Sequence, residues 1–408
     1  MQPIIILFFL VICSCSYAQT GEWHQFHGPN RLNISPDTAL LKKWPAEGPP
    51  KLWTFGACGK GYSGVIVAEG LIFTAGDFAD KEFLIALDLN GNIVWKEQNG
   101  KAWKRSCPGS RATPTYNEGI VYHMNPLGHL TAYQAKTGKT VWKSDLRQRF
   151  GVQYGIWALA ESVLVDGDKL LCMPGGSKGR IVALNKKTGE TLWTNTEIQH
   201  GAAYCSGRII NHKGKRQMIT LTSRSLISVA LDDGKLLWQS SFVPRSPQNA
   251  LTPLYHQGHV FVASGHKTGG RMLKISEDSK SVVEVWTRSD IDDCHSGTLL
   301  VDGRLYGVAC RMGYKNFYCL DYLSGKSIKL DPSFGKVGIT YADGMIYAIN
   351  HRGMMYLLET TKEGFELSSQ FQLPKKPTNS YLAHPVVIGG RLYLRCGQEL
   401  HVFDVSDT

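Results

Sequence analysis

Eight polar or aromatic side chains lie near the start of the first strand in successive copies of one repeat: Tyr62, Arg111, Trp157, His200, Asn249, His295, Lys336 and His384, with Tyr381 as the alternative in the last copy. If the repeats close into a ring, each sits where its blade enters the central channel. Arg111, Lys336, His200 and His295 would then face one another in a low-dielectric funnel, where cations repel unless an anion lies between them. The expected ligand is therefore anionic, a carboxylated or sulfated sugar or an acidic protein surface, with Tyr62 and Trp157 stacking on a ring. The same residues could instead serve a lyase, with a base at a sugar C5 proton and a cation on its carboxylate. The three histidines could in principle hold a transition metal, yet no local spacing supports one, and none is expected. No residue is given a catalytic role.

Other chemical signals are weaker. His24 and His27 stand three apart, a spacing a metal could use, but a leading segment packed across the fold explains them better. Lys267-Thr268-Gly269-Gly270-Arg271 and Gly175-Gly176-Ser177-Lys178-Gly179 resemble phosphate loops superficially. Neither fits G-x-x-x-x-G-K-[ST] before a helix, so both read as hairpin turns. No G-x-S-x-G in a strand-to-helix setting offers a hydrolase nucleophile.

The elements that must position these residues come from the repeat. Units ending in Trp95, Trp142, Trp193, Trp238 and a degenerate Trp286 follow an orphan Lys51-Leu52-Trp53, at intervals of 42 to 51 residues. Residues 319–329 and 357–367 keep the outline without the Trp. Each unit has a front half in which apolar alternation flanks a turn: Glu69-Gly70, Glu118-Gly119, Asp166-Gly167, Gln257-Gly258, Asp302-Gly303, Asp343-Gly344 and Gly389-Gly390. Such turns between alternating runs signal hairpins, so each unit reads as four short antiparallel strands, one propeller blade. Front halves begin near 62, 111, 157, 200, 249, 294, 335 and 381, which predicts an all-β, eight-bladed propeller. The last front half lacks a fourth strand and Lys51-Leu52-Trp53 lacks a front half, so the two are expected to pair and close the ring.

Residues 1–18 form a short apolar leader without charged side chains, too short to span a bilayer, with Ser16-Tyr17-Ala18 offering cleavage before Gln19. Ser14-Cys15-Ser16 is a loose lipobox and gives lipid anchoring at Cys15 as the alternative. The expected organisation is a signal peptide over 1–18, a packing segment over 19–50 and the propeller over 51–408, in a periplasmic or secreted monomer. No later run reaches membrane length. A net charge of +11 is scattered over turns and strand ends, and in an exported chain it argues against nucleic acid. Ten cysteines include no CxxC or CxxCH, which leaves neither a zinc knuckle nor a covalent haem. Cys310 with Cys319, across one hairpin, and Cys58 with Cys107, between successive blades, are the candidate disulfides.

The A-x-D-x-x-T-G-x-x-x-W pattern resembles the tryptophan-docking repeat of pyrroloquinoline-quinone (PQQ) dehydrogenases and of the propeller of the outer-membrane barrel-assembly machinery, which holds partners and catalyses nothing. Trp23-His24-Gln25-Phe26-His27-Gly28-Pro29-Asn30-Arg31 is similar to the opening of an exported group of PQQ-binding-like propellers. The resemblance implies either a binding scaffold or an oxidoreductase using PQQ with calcium. The dehydrogenases carry adjacent cysteines over the cofactor, an acidic base and oxygen ligands for calcium. No Cys-Cys occurs here, and Glu161 and Asp292-Asp293 are candidates for the acids only by nearness to blade entrances. A binding module is therefore the leading expectation.

Overall fold

The computed structural model describes residues 21–246, 248–309, 316–374 and 381–407. The leader and Cys310 lie outside them. Eight four-stranded antiparallel sheets stand as the blades of a β-propeller, over residues 66–101, 115–145, 164–195, 208–241, 254–288, 299–331, 337–372 and 386–404. In the first seven blades the strands follow in chain order. The first strand is innermost and buried, as at Ile66–Ala68, and the fourth is outermost with exposed positions, as at Thr191–Asn195. The front hairpins turn as the sequence requires: Glu69 and Gly70 both take positive φ, 49° and 72°, the type I′ geometry that matches strand twist.

The last blade takes its outer strand from the start of the propeller. Lys51–Phe55 pairs antiparallel with Glu399–Asp404, with Thr54 opposite His401 and Phe55 opposite Leu400. No blade is left with an unpaired inner strand, and the ring closes on itself.

One contact recurs between blades. In five of the eight outer strands a Trp donates its indole N–H to a carbonyl of the next blade: Trp53 to Leu89 (3.0 Å), Trp95 to Ala135 (2.7 Å), Trp142 to Lys186 (2.9 Å), Trp193 to Leu231 (3.1 Å) and Trp286 to Tyr322 (3.2 Å). The ring lies on the turn glycine of that next blade. A Cβ added at Gly91, Gly138, Gly189, Gly234 or Gly325 would come within 2.3 to 2.9 Å of the docked indole. Three outer strands depart from the pattern, that of the seventh blade by carrying Ser369 at the Trp register opposite Leu357, where its hydroxyl accepts from the Trp44 amide at 2.9 Å. Trp238 bonds Gln217 of its own blade, because the next turn, Ser276 to Ser281, has no glycine to receive it. In the sixth blade Lys329 holds the Trp register opposite Cys319. Its ammonium donates to the Phe365 carbonyl at 2.6 Å and lies 4.8 Å from the Phe365 ring centre, so a lysine does the same job.

The leading segment does more than pack against the outside. Trp23 exchanges backbone hydrogen bonds with Val67 of the first blade, and His24 accepts from Tyr116 of the second. Arg31, 1% exposed, donates to the carbonyls of Ser162 and Val163 entering the third blade and of Gly207 entering the fourth. Asn33 and Ser35 bridge to Tyr341 of the seventh, and Leu41 to Val405 of the eighth. The segment thus enters the channel at the end that bears the front-hairpin turns, floors it and leaves at the same end, tying blades together across the axis. Burial holds the Arg31 guanidinium down at about 10, which still leaves it charged at neutral pH.

Two outcomes are expected. Removing residues 21–56 should open the ring, giving aggregation or a broad, non-cooperative melt by calorimetry; a melt as sharp as the parent's would show that closure lies elsewhere. Gly189→Val places a branched Cβ at φ 75° and 2.8 Å from the Trp142 ring. It should cost roughly 2–4 kcal/mol in urea unfolding, whereas a cost below about 0.5 kcal/mol would mean that the dock tolerates displacement.

Candidate functional site

The loops that enter the blades gather around the axis and enclose a cavity of about 440 Å³. Its wall is set by register. Counting six residues back from the last residue of the first strand reaches Tyr62, Arg111, Ala160, Ala250, His295, Lys336 and Leu382 in seven blades, and all seven line the cavity. In the fourth blade the same count reaches Ser206, which turns away to accept from the Ser162 N–H at 2.9 Å. Tyr204 takes its place on the wall.

Five of the expected residues therefore meet on this wall: Tyr62, Arg111, Trp157, His295 and Lys336. Three do not. His200 lies in the longer loop after the third blade, where its Nδ1 pairs with Ser225 Oγ at 3.1 Å. Asn249 is fully buried, donates to the Thr222 and Phe242 carbonyls and braces the loop whose neighbours Gln248 and Ala250 reach the cavity. His384 sits below, between the His295 carbonyl (2.7 Å) and His27 Nε2 (3.1 Å). Burial holds its pKa down at about 4, so it is neutral. Tyr381, the alternative, is buried and donates to the Pro374 carbonyl. The expected four-cation ring is thus reduced by His200, while His351, Tyr204, Gln248, Cys107 and Cys294 join the wall.

The wall has a pronounced chemical character. Arg111, Lys336, His295 and His351 line it, and no Asp or Glu does among the described residues. Arg111 is anchored at its back by carbonyls of Ser106 and Cys107, which fixes the guanidinium. Trp157 and Tyr204 stand 5.1 Å apart and tilted by 48°, an aromatic corner locked by the Tyr204 hydroxyl at the Trp157 N–H. Burial raises the phenol pKa of both Tyr62 and Tyr204, with Arg111 opposing. Below, a cavity of about 80 Å³ shares Tyr62, Arg111 and Leu382 and is floored by Trp23, Phe26 and His27 of the leading segment. The funnel is consequently a dead end rather than a pore.

The acids do not reach this wall. Glu161 is buried, accepts from the Met173 N–H at 2.6 Å and answers the charge of Arg31. Asp293 accepts from the His295 and Ser296 amides and the Ser296 and Thr298 hydroxyls, and Asp292 from the Lys267 amide. Calcium takes six to eight oxygen ligands including carboxylates, so this donor set does not fit a calcium-loaded quinone. Among the described residues no group of three His, Cys, Asp or Glu is placed to hold a metal. His24 and His27 separate, His27 stacking on Phe26 at 3.7 Å. Cys58, buried, and Cys107, exposed, are both free thiols, so this candidate disulfide is not formed. The candidate bond from Cys319 to Cys310 ends outside the described residues.

An eight-bladed propeller with tryptophan-docked blades and an axial pocket is a PQQ-like repeat protein. Residues 80–330, well over half of the chain, match the family of outer membrane protein assembly factor BamB, and the chain belongs to that family. It is 26% identical over 258 residues to a quinoprotein ethanol dehydrogenase of Pseudomonas aeruginosa, covering 56% of this chain and 39% of that one. It is 25% identical over 145 residues to the BamB of Salmonella typhimurium, covering 35% and 33%. These matches span well under half the length of either relative. The quinohemoprotein alcohol dehydrogenase of Comamonas testosteroni shares the fold, with a TM-score of 0.68 at 13% identity, covering 95% of this chain and 81% of that one. No described helix is long and apolar enough to cross a membrane.

Glu161 gives a pH signature. Burial raises its carboxyl from 4.5 to about 7, against the pull of Arg31. The folded state therefore holds the proton more tightly, so stability is greatest below pH 4.5 and falls as pH rises through about 7. Glu161→Gln should remove that loss, its advantage over the parent growing by up to about 3 kcal/mol between the two pH values. Parallel urea curves for parent and variant across this range would refute the burial argument.

Proposed function

We propose that this propeller is a binding module whose dead-end funnel takes an anionic sugar ring in an exported setting. The observation that carries the reading is the wall itself, with Arg111, Lys336 and two histidines facing one cavity and no carboxylate among its described lining residues, Asp77 acting on Arg111 from outside the lining. A guanidinium anchored from behind presents its free edge to a carboxylate or sulfate in bidentate fashion. The Trp157–Tyr204 corner offers an apolar face for a sugar ring. A volume near 440 Å³ suits one small ligand rather than a protein loop. A lyase is less well served, because a phenolate base needs a lowered pKa and burial pushes Tyr62 and Tyr204 the other way. Kinship with BamB supports a second reading, an assembly scaffold. Its surface would be the exposed apolar side chains of outer strands, Val283 at 62% and Leu367 at 48% among them.

Calorimetric titration with glucuronate and with sulfated N-acetylgalactosamine tests the funnel. Lys336→Met should weaken binding about tenfold and hold or raise the melting temperature, since it relieves repulsion. Arg111→Met should abolish binding at some cost in stability, because the Ser106 and Cys107 carbonyls lose their donor. Equal affinity in the parent and in a variant carrying both Arg111→Met and Lys336→Met would place the ligand elsewhere. Tight binding of PQQ with calcium, read from the quinone's absorbance, would instead return the chain to the oxidoreductases.

A further inference from the structure

Beside the funnel, between the fourth and fifth blades, lies a second cleft of about 230 Å³. Its wall brings together Arg245, Lys267, Arg271 and the hydroxyl of Thr268 over Phe242. Arg271 is engaged, with Glu284 at 3.0 Å and the Ser241 carbonyl at 2.9 Å. The Arg245 guanidinium and the Lys267 ammonium have no side-chain partner among the described residues, and Thr268 Oγ1 accepts from the Arg245 amide, leaving its proton to give.

Lys267 is displayed at some conformational expense. Both His266 and Lys267 adopt left-handed backbone, at φ 58° and 64°, a pairing that non-glycine residues seldom accept. Two bonds hold them there, His266 Nε2 with Gln248 Oε1 at 2.7 Å and the Lys267 amide to Asp292 Oδ2 at 3.3 Å. Strain maintained by surrounding contacts is characteristic of functional sites. Both restraints come from the loops that build the funnel. Gln248 lines it directly, and Asp292 lies two residues before Cys294 and three before His295, which do the same. The cleft and the funnel are therefore two faces of one hydrogen-bonded frame. Gln248 and Arg245 are three residues apart, so at most about 10 Å of chain separates the two walls.

We propose that this cleft is a second anion subsite for the same ligand, which is consequently a chain of anionic sugars rather than a single ring. One charged ring occupies the funnel, and the carboxylate or sulfate of a ring further along the chain crosses the Gln248–His266 ridge to Arg245 and Lys267. The inference rests on the anionic-sugar reading of the funnel.

Calorimetry with a chondroitin sulfate tetrasaccharide, compared with glucuronate and sulfated N-acetylgalactosamine, separates the two claims. The parent should bind the tetrasaccharide at least about tenfold more tightly than either single ring, with a steeper salt dependence. Arg245→Gln with Lys267→Gln, both at exposed positions, should bring the tetrasaccharide down to single-ring affinity and leave the single rings unchanged. An unaltered tetrasaccharide affinity in that variant, with single rings still bound, overturns the second subsite alone. Failure of either single ring to bind the parent overturns the funnel reading beneath it.

Discussion

The docking of one blade's tryptophan on the next blade's glycine is the contact on which the rest of this molecule depends. A blade on its own buries one face at most, and its outer strand would leave a wide indole in water. Pressing Trp142 onto Gly189 covers one face of the ring and the glycine, while the indole N–H meets the Lys186 carbonyl. The glycine is needed twice over, for its positive φ and for the absence of a side chain where the ring must lie. Repeated round the ring, this contact fixes the angle between neighbours, and a fixed angle fixes how many blades close it. Lys329 shows that the geometry outlasts the residue: a flexible cation reaching the Phe365 carbonyl satisfies the same demand.

Because the blades are held at a set angle, their entry loops arrive at the axis in a set register. The side chain six places before the end of each first strand faces the funnel whatever its chemistry, which is why Ala160, Ala250 and Leu382 stand there beside Arg111 and Lys336. The cationic wall is a property of a few positions on an otherwise indifferent frame. Its described lining holds no carboxylate, Asp77 acting on Arg111 from outside it, because the acids of these loops are spent inward. Asp293 and Glu161 accept backbone amides and brace the turns that carry the wall.

The fold was legible because its signals are periodic: the spacing of Trp95, Trp142 and Trp193 and the paired turn residues such as Glu118-Gly119 repeat too regularly for another architecture. The site was legible in part. Tyr62, Arg111, His295 and Lys336 lie at the counted register, and Trp157 reaches the wall from three residues earlier. His200, Asn249 and His384 drew notice by polarity rather than by position, and each proved to be bound up in the frame. Strict counting from the first turn would have favoured Ala250 and Leu382 over the last two. Nothing local marks Arg31 as a buried residue, since its partners are carbonyls of blades far along the chain. Nor could spacing disclose Tyr204 or His351, which reach the cavity from outside the shared register.

The leading segment has a consequence for how the chain comes to be folded. Trp23, Arg31 and Leu41 are synthesised first, yet their hydrogen-bond partners extend from Val67 to Val405, and the strand Lys51–Phe55 must wait for Glu399–Asp404. Contacts of such long sequence separation make assembly slow. They also make it late, because a chain still on the ribosome has no complete ring for its first residues to plug. The closure thus acts as a completeness check: the axial pocket acquires its floor and its last blade only when every blade between them has been made.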